Sequence, residues 1–219
     1  MPRIGCQMTQ PTESPRDLPS NQRWIHLILH TRNTWLHGDV RGFRSREHRI
    51  HSSGDYRNPP PPDEHRNLRA FMVERSGDSI LLGSDGQLAV LDAVRVKLDS
   101  LGSESLAIAV APTHLHGLIS APCDQTLTNK LIAKLKQRLS YVCAESIARP
   151  VWAQGECIKT IRVRQHQVAT FVYITEKQEA SAMIWSFRNP GHRFAHPSAS
   201  KRNESNRMSS HDSIPEAEG

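Results

Sequence analysis

The chain has 219 residues, 28 Lys and Arg against 22 Asp and Glu, a formal charge of +6 and 37% hydrophobic residues, the make-up of one ordinary domain with polar extensions. Its longest apolar runs, Trp24 to Leu29 and Leu106 to Ala111, fall far short of the roughly 20 residues that a membrane-spanning helix requires. Four cysteines, Cys6, Cys123, Cys143 and Cys157, lie far apart without a CxxC pair, which argues against both a zinc knuckle and a disulfide framework.

The first 21 residues are rich in Pro, Ser and Arg with little to bury, and are expected to be a disordered tail. They hold no apolar stretch of the secretory type, so the expected location is cytoplasmic. Trp24 to His30 has the β-branched and aromatic content of a first strand. From Thr34 to His65 the chain carries Gly38, Gly42, Gly54 and the run Pro59 to Pro62, which breaks regular structure and reads as a long insertion.

Leu91, Val94, Leu98 and Leu101 recur at three and four residues and predict a helix from Asp85 to Leu101, capped by Ser84 or Asp85 and ended by Gly102. Two short apolar runs separated by Pro112 predict strands at 105–111 and 114–120, with the proline at a turn or edge. A second helix is expected from Asp124 to Val142, with Leu127, Leu131, Leu135 and Leu139 on one face and Lys130, Lys134 and Arg138 forming a cationic stripe beside it. Between residues 130 and 164 eight cations face two carboxylates, so this window carries the whole net charge, as expected of a protein that neutralises phosphates. A solvated helix face explains the stripe equally simply. The segment from Arg164 to Gln178 is a third helix or, on the propensity of Thr170 to Thr175, a strand, and propensity leans to strand. A second disordered tail is expected over 189–219, leaving 22–188 as the domain.

Residues i and i+2 of a strand share a face, so His114 and His116 present two imidazoles side by side while Leu115 faces the core. That pair suits a divalent ion completed by a third protein ligand, waters or phosphate oxygens, and equally describes half-exposed strand surface. His26, His30 and His37 could form part of a second metal site, but the simpler reading is ordinary strand and loop residues. Of the aromatics Trp152, Trp185, Phe171 and Phe187, at least two are expected in the core, and the others could stack on unpaired bases. No phosphate loop, nucleophile elbow, HExxH motif or paired carboxylates occur.

Three pieces, in order, resemble the Y1 class of HUH transposases, the IS200/IS605-like family that includes transposases associated with repetitive extragenic palindromes. They are Pro112-Thr113-His114-Leu115-His116-Gly117-Leu118-Ile119, Tyr173-Ile174 with the downstream carboxamide of Gln178, and Thr34-Trp35-Leu36-His37-Gly38-Asp39-Val40-Arg41-Gly42, which is similar to an insertion found in part of that family. The resemblance implies an α+β ferredoxin-like sandwich whose antiparallel sheet carries the His-Leu-His strand with helices on one face, and it makes the Tyr173 segment a helix. It implies Tyr173 as the catalytic nucleophile on single-stranded DNA, with hairpins as the partner, giving a 5′-phosphotyrosine intermediate and a free 3′-hydroxyl. Mg²⁺ or Mn²⁺ would be held by His114, His116 and Gln178, no nucleotide cofactor is needed, and a homodimer is possible. The residues agree in one respect: of three tyrosines, Tyr56 lies in the Pro-rich insertion and Tyr141 at the end of the basic helix.

The family places its third ligand, a Gln or Asn, four residues after the tyrosine, and here that position is Lys177, whose ammonium cannot ligate a metal. Gln178 or Glu176 would have to substitute, while Lys177 contacts the phosphate or favours the phenolate. The expected DNA contacts are Lys130, Lys134, Arg138, Arg162, Arg164 and Lys177. The alternatives are a non-catalytic nucleic-acid-binding protein on the same fold and, more distantly, a metal-dependent hydrolase that forms no covalent intermediate.

Overall fold

Alternating burial along two central strands sets the architecture. In β1, Gln22–His30, Ile25, Leu27 and Leu29 are sealed on one side, while His26, Ile28 and His30 take the other. The same alternation in β3, His114–Pro122, sends Leu115, Ile119 and Ala121 to the first side and His114, His116 and Leu118 to the second. The two strands pair antiparallel with His30 opposite His114 and Ile28 opposite His116.

The computed structural model describes residues 18–43, 51–53, 58, 60–144, 147 and 150–194. The tails expected at 1–21 and 189–219 lie largely outside these residues, as do Tyr56 and part of the 34–65 insertion. After β1 come α1 (Arg66–Ser76), α2 (Ser84–Ser100), β2 (Ser105–Val110), β3, α3 (Gln125–Val142), β4 (Cys157–Thr160), α4 (Arg164–Glu176), β5 (Met183–Ser186) and β6 (Asn189–Phe194). The sheet order is β4-β1-β3-β2-β5-β6 with antiparallel pairing throughout. Its first four strands, with α2 and α3 as crossovers, are the βαββαβ ferredoxin-like arrangement, and β5 and β6 widen it at the β2 edge.

Both crossover helices cover one face. Val90, Leu91, Val94 and Leu98 of α2 and Leu131, Ile132, Leu135 and Leu139 of α3 join Ile25, Leu27, Leu29, Leu115 and Ile119 in the larger core cluster. Each fully buried aliphatic side chain of this kind contributes about 1.5–3 kcal/mol. The opposite face carries a smaller cluster in which Ile174 of α4 packs on Ala107, Ala109, Leu118 and Ile184. The histidines therefore lie on the face that α4 covers, one sheet thickness from α2 and α3.

Several boundaries differ from expectation. Helix α4 overrides the strand propensity of Thr170 to Thr175, because Gln167, Thr170 and Ile174, spaced by three and four, are the positions it buries. Leu127 is not part of the buried stripe of α3. It is exposed, and Thr128 takes the inward position, donating to the Pro122 carbonyl at 2.7 Å. Neither Ser84 nor Asp85 caps α2: the N-cap is Gly83, which has no side chain to offer. Gly102 does end it, with φ +66 and the paired bonds from Gly102 N–H to Asp99 O and Ser103 N–H to Leu98 O that define a Schellman turn. Asp124 caps α3 by accepting from the Leu127 N–H at 2.8 Å. The sheet also continues past residue 188, since β6 folds back on β5 over residues assigned to the tail. Helix α1 and strands β4, β5 and β6 have no counterpart among the elements expected from hydrophobic period. Among the described residues no helix is long and apolar enough to cross a membrane.

Candidate functional site

Four imidazoles stand in a row on the α4 face of the β1–β3 pair. Ring centroids are 5.1 Å apart from His26 to His116, 4.8 Å from His116 to His114 and 6.0 Å from His114 to His30. The register produces this row, because His30 faces His114 directly and His26 lies diagonal to His116. Above it, α4 places the Tyr173 ring edge-on to His116 at 5.3 Å and to His26 at 6.0 Å. Tyr173 is 43% exposed, open to a ligand, whereas His116 is 5% and His26 6% exposed.

Both histidines of the His-Leu-His strand have Nδ1 engaged by a neighbour. His26 Nε2 lies 3.0 Å from His116 Nδ1, and Thr113 Oγ1 lies 2.9 Å from His114 Nδ1. On His116, Nε2 is then the nitrogen left for a ligand, the way a neighbouring group fixes ring orientation at metal sites. Burial keeps these rings neutral. It lowers His116 to about 2, helped by the charges of His114, His26, His30 and Lys159, and it lowers His26 to about 4, helped by Lys159 and His166. Burial, His114 and Arg41 bring His30 to about 4. His114 is lowered by burial too, against the opposing influence of Glu179 and of a hydrogen bond with the Gln178 side chain.

The C-terminus of α4 accounts for Lys177. The helix ends at Glu176, and Lys177 is its C-cap, with its backbone N–H donating to Tyr173 O at 3.2 Å. The position one turn beyond the tyrosine is therefore no longer helical. Gln178 turns back: its Nε2 donates to Tyr173 O at 3.0 Å, and its side chain lines the cleft with His114, close enough to oppose the lowering of that ring's pKa. Glu176 is exposed and lines no part of the cleft. His114, His116, Tyr173, Lys177, Gln178 and Glu179 line one open cleft of about 490 Å³ together with Ile28, His30, Thr34, Trp35, Arg41 and Thr113. Among the described residues no three His, Cys, Asp or Glu side chains are grouped to hold an ion by themselves. A two-histidine pair completed by a carboxamide oxygen, waters and a phosphate oxygen is the donor set that this cleft could offer a divalent ion.

The residues brought together here are not the cationic stripe. Lys130, Lys134 and Arg138 are exposed on α3, across the sheet from the cleft. Arg138 stacks over Tyr141 at 5.6 Å, and that ring is 66% exposed. Arg162 and Arg164 are exposed at the start of α4, where Arg164 donates to Gln167 Oε1 at 2.9 Å. Nine residues separate Arg164 from Tyr173, about 14 Å of helix. The cations close enough to bear on the histidines are Lys159, opposite His26 in the β1–β4 pair, and Arg41. Lys136, counted in the basic window, is bound within the fold, donating to the carbonyls of Ala153 and Gly155 at 2.9 and 3.0 Å.

Sequence reasoning set His26 and His30 aside and missed Lys159 and Glu179. The signal for His26 and His30 was their even spacing from Ile28 on the polar face of β1, opposite the His-Leu-His strand. Trp152 and Trp185 are core, as expected for two of the four aromatics, whereas Phe187 is 43% exposed beside Arg188.

No family model matches the sequence, and no curated protein matches it. Among solved structures, the chain is similar to that of a REP-associated tyrosine transposase bound to a REP hairpin. The two share 13% identity at a TM-score of 0.39, over 75% of this chain and 70% of that one. At that level of likeness the functional reading rests on the site's own geometry.

Proposed function

We propose that the protein cleaves and rejoins single-stranded DNA by tyrosine attack, in the manner of a Y1 HUH transposase. The observation that carries this reading is the convergence in one open cleft of an exposed phenol, two neutral imidazoles with Nδ1 already engaged, and the carboxamide of Gln178. His114, His116 and Gln178 would hold a divalent cation, which would draw charge off a non-bridging oxygen of the scissile phosphate.

The chain's own residues supply the rest. Helix α4 fixes the phenol over the histidines, which makes attack effectively intramolecular once a phosphate sits in the cleft. The Tyr173 oxygen bonds to phosphorus, the phosphorus–O3′ bond breaks, the phenol proton leaves to solvent in the open cleft and the departing O3′ takes a proton up. A 5′-phosphotyrosine and a free 3′-hydroxyl result. A phenol is a better leaving group than an aliphatic alcohol, so the bond can be reversed to join DNA instead of ending in hydrolysis. Lys177 and Lys159 flank the cleft and meet the phosphate charge, while His26 holds His116 in one tautomer.

The test is covalent capture: the protein incubated with Mn²⁺ and labelled hairpin-bearing single strands forms an adduct stable on a denaturing gel, and His116→Ala abolishes it while hairpin binding persists. Binding without adduct in the native protein favours a nucleic-acid-binding module on this fold. Turnover with no adduct, unaffected by Tyr173→Phe, favours a metal-dependent hydrolase.

A further inference from the structure

The cleft has an aromatic wall that phosphate chemistry does not require. Trp35 leads the loop after β1, lines the same cleft as His114, His116 and Tyr173, and is 45% exposed. Trp152 and Trp185, by contrast, are buried in the core.

Trp35 is also held in place. Its indole N–H donates to the Gly42 carbonyl at 2.8 Å, its ring meets His30 edge-on at 5.2 Å, and the Arg41 guanidinium lies 4.7 Å from its centroid. Arg41 is anchored in turn by two bonds of 2.7 Å to the Asp39 carboxylate and one of 2.6 Å to the Thr34 carbonyl. Behind them Gly38, at φ +86, sits so close to α1 that a Cβ would lie 2.6 Å from the Arg69 backbone nitrogen.

Two consequences follow. The polar edge of the indole is satisfied and its position is fixed, so the open part of the ring is preorganised to receive a flat partner at little entropic cost. The charge of Arg41 is matched by Asp39, so this loop offers a π surface and not a free cation. A phosphate-binding loop would show the reverse.

We propose that Trp35 is a stacking platform for one unpaired nucleobase next to the phosphate held in the cleft. The inference rests on the single-strand reading of the same cleft and gives it a substrate preference: bases within a duplex have both faces covered by their neighbours, so only an unpaired strand can use the platform.

Fluorescence anisotropy of the full-length protein with a labelled oligodeoxythymidine strand, and with an abasic strand of equal length and charge, tests this across a salt series. Trp35→Ala is expected to weaken oligodeoxythymidine binding on the order of 5- to 100-fold, the range one base stacked on an aromatic ring commands. Trp35→Phe keeps most of the affinity, abasic-strand binding is unchanged in both variants, and the salt slope is unchanged because the same phosphates stay neutralised. Equal oligodeoxythymidine affinity in native protein and Trp35→Ala, or an equal loss on the abasic strand, overturns the platform. A native protein that binds neither strand overturns it as well. Loss of stacking in Trp35→Ala from a native protein that forms no tyrosine adduct would sink the catalytic reading and leave the platform standing.

Discussion

In the proposed function Gln178 takes the ligand role of the position before it, Lys177. On a continuing helix it would point roughly 100° away from Tyr173, but α4 stops at Glu176 and the chain turns the carboxamide toward His114. Gln178→Ala is expected to raise the Mn²⁺ concentration for half-maximal adduct formation by about 10-fold or more, with hairpin affinity unchanged. An unaltered Mn²⁺ dependence would remove it from the donor set. His26→Leu deprives His116 of its only partner at Nδ1 in the described fold, and outer partners of this kind are worth roughly 10- to 100-fold in metal affinity. Calorimetric Mn²⁺ titration reads that loss directly. The same rings make a prediction for the metal-free protein. Burial holds His26, His30 and His116 below 6.5, so the unfolded chain binds more protons than the folded one as the pH falls. Stability is therefore full above about pH 6.5 and declines toward pH 4, the opposite of a histidine stabilised by a carboxylate. Urea unfolding in chelator should show a falling midpoint over that window, and a flat midpoint would mean the rings are not buried as described.

At the scale of elements, the sequence was legible where hydrophobic period and turn chemistry agreed. The leucine step and Asp124 give α3, Gly102 gives the end of α2, and Pro112 sits in the tight turn where the Ala111 N–H donates to the His114 carbonyl. It was not legible where tertiary packing decides. Thr170 to Thr175 prefers a strand in isolation, and only the apolar patch on the second sheet face makes it helical. Strand β4 has four residues, two of them exposed, and exists because β1 offers it an edge. The His-Leu-His pair was legible from its spacing, whereas His26 and His30 needed the strand register, which no local pattern states. Leu135→Ala in the α3 seam is expected to cost about 2–5 kcal/mol, and Asp124→Ala about 1 kcal/mol. Denaturant unfolding checks both, and equal losses would mean that α3 is not packed as seen.

Over the whole molecule, charge and chemistry occupy different sides. The window that carries the net charge includes α3, whose exposed lysines face away from the cleft, while Lys159 and Lys177 stand beside it. On the proposed reading, two roles separate: binding by α3 and chemistry in the cleft. Lys134→Ala with Arg138→Ala should lower hairpin affinity and flatten its salt slope by about 0.7–0.9 for each phosphate no longer neutralised, without changing the adduct rate at saturating DNA. Lys159→Ala should lower that rate even when the strand is saturating. If Lys134→Ala with Arg138→Ala leaves the slope unchanged, α3 is not part of the binding surface.

The most direct measurement is the denaturing-gel assay on native protein and Tyr173→Phe, with Mn²⁺, labelled hairpin-bearing single strands and peptide mapping of any adduct. The expected result is a covalent species on the Tyr173 peptide, joined through the 5′-phosphate of the strand 3′ to the cut and missing from the variant. Strand cleavage by Tyr173→Phe at the native rate, or an adduct mapped to Tyr56 or Tyr141, would contradict it.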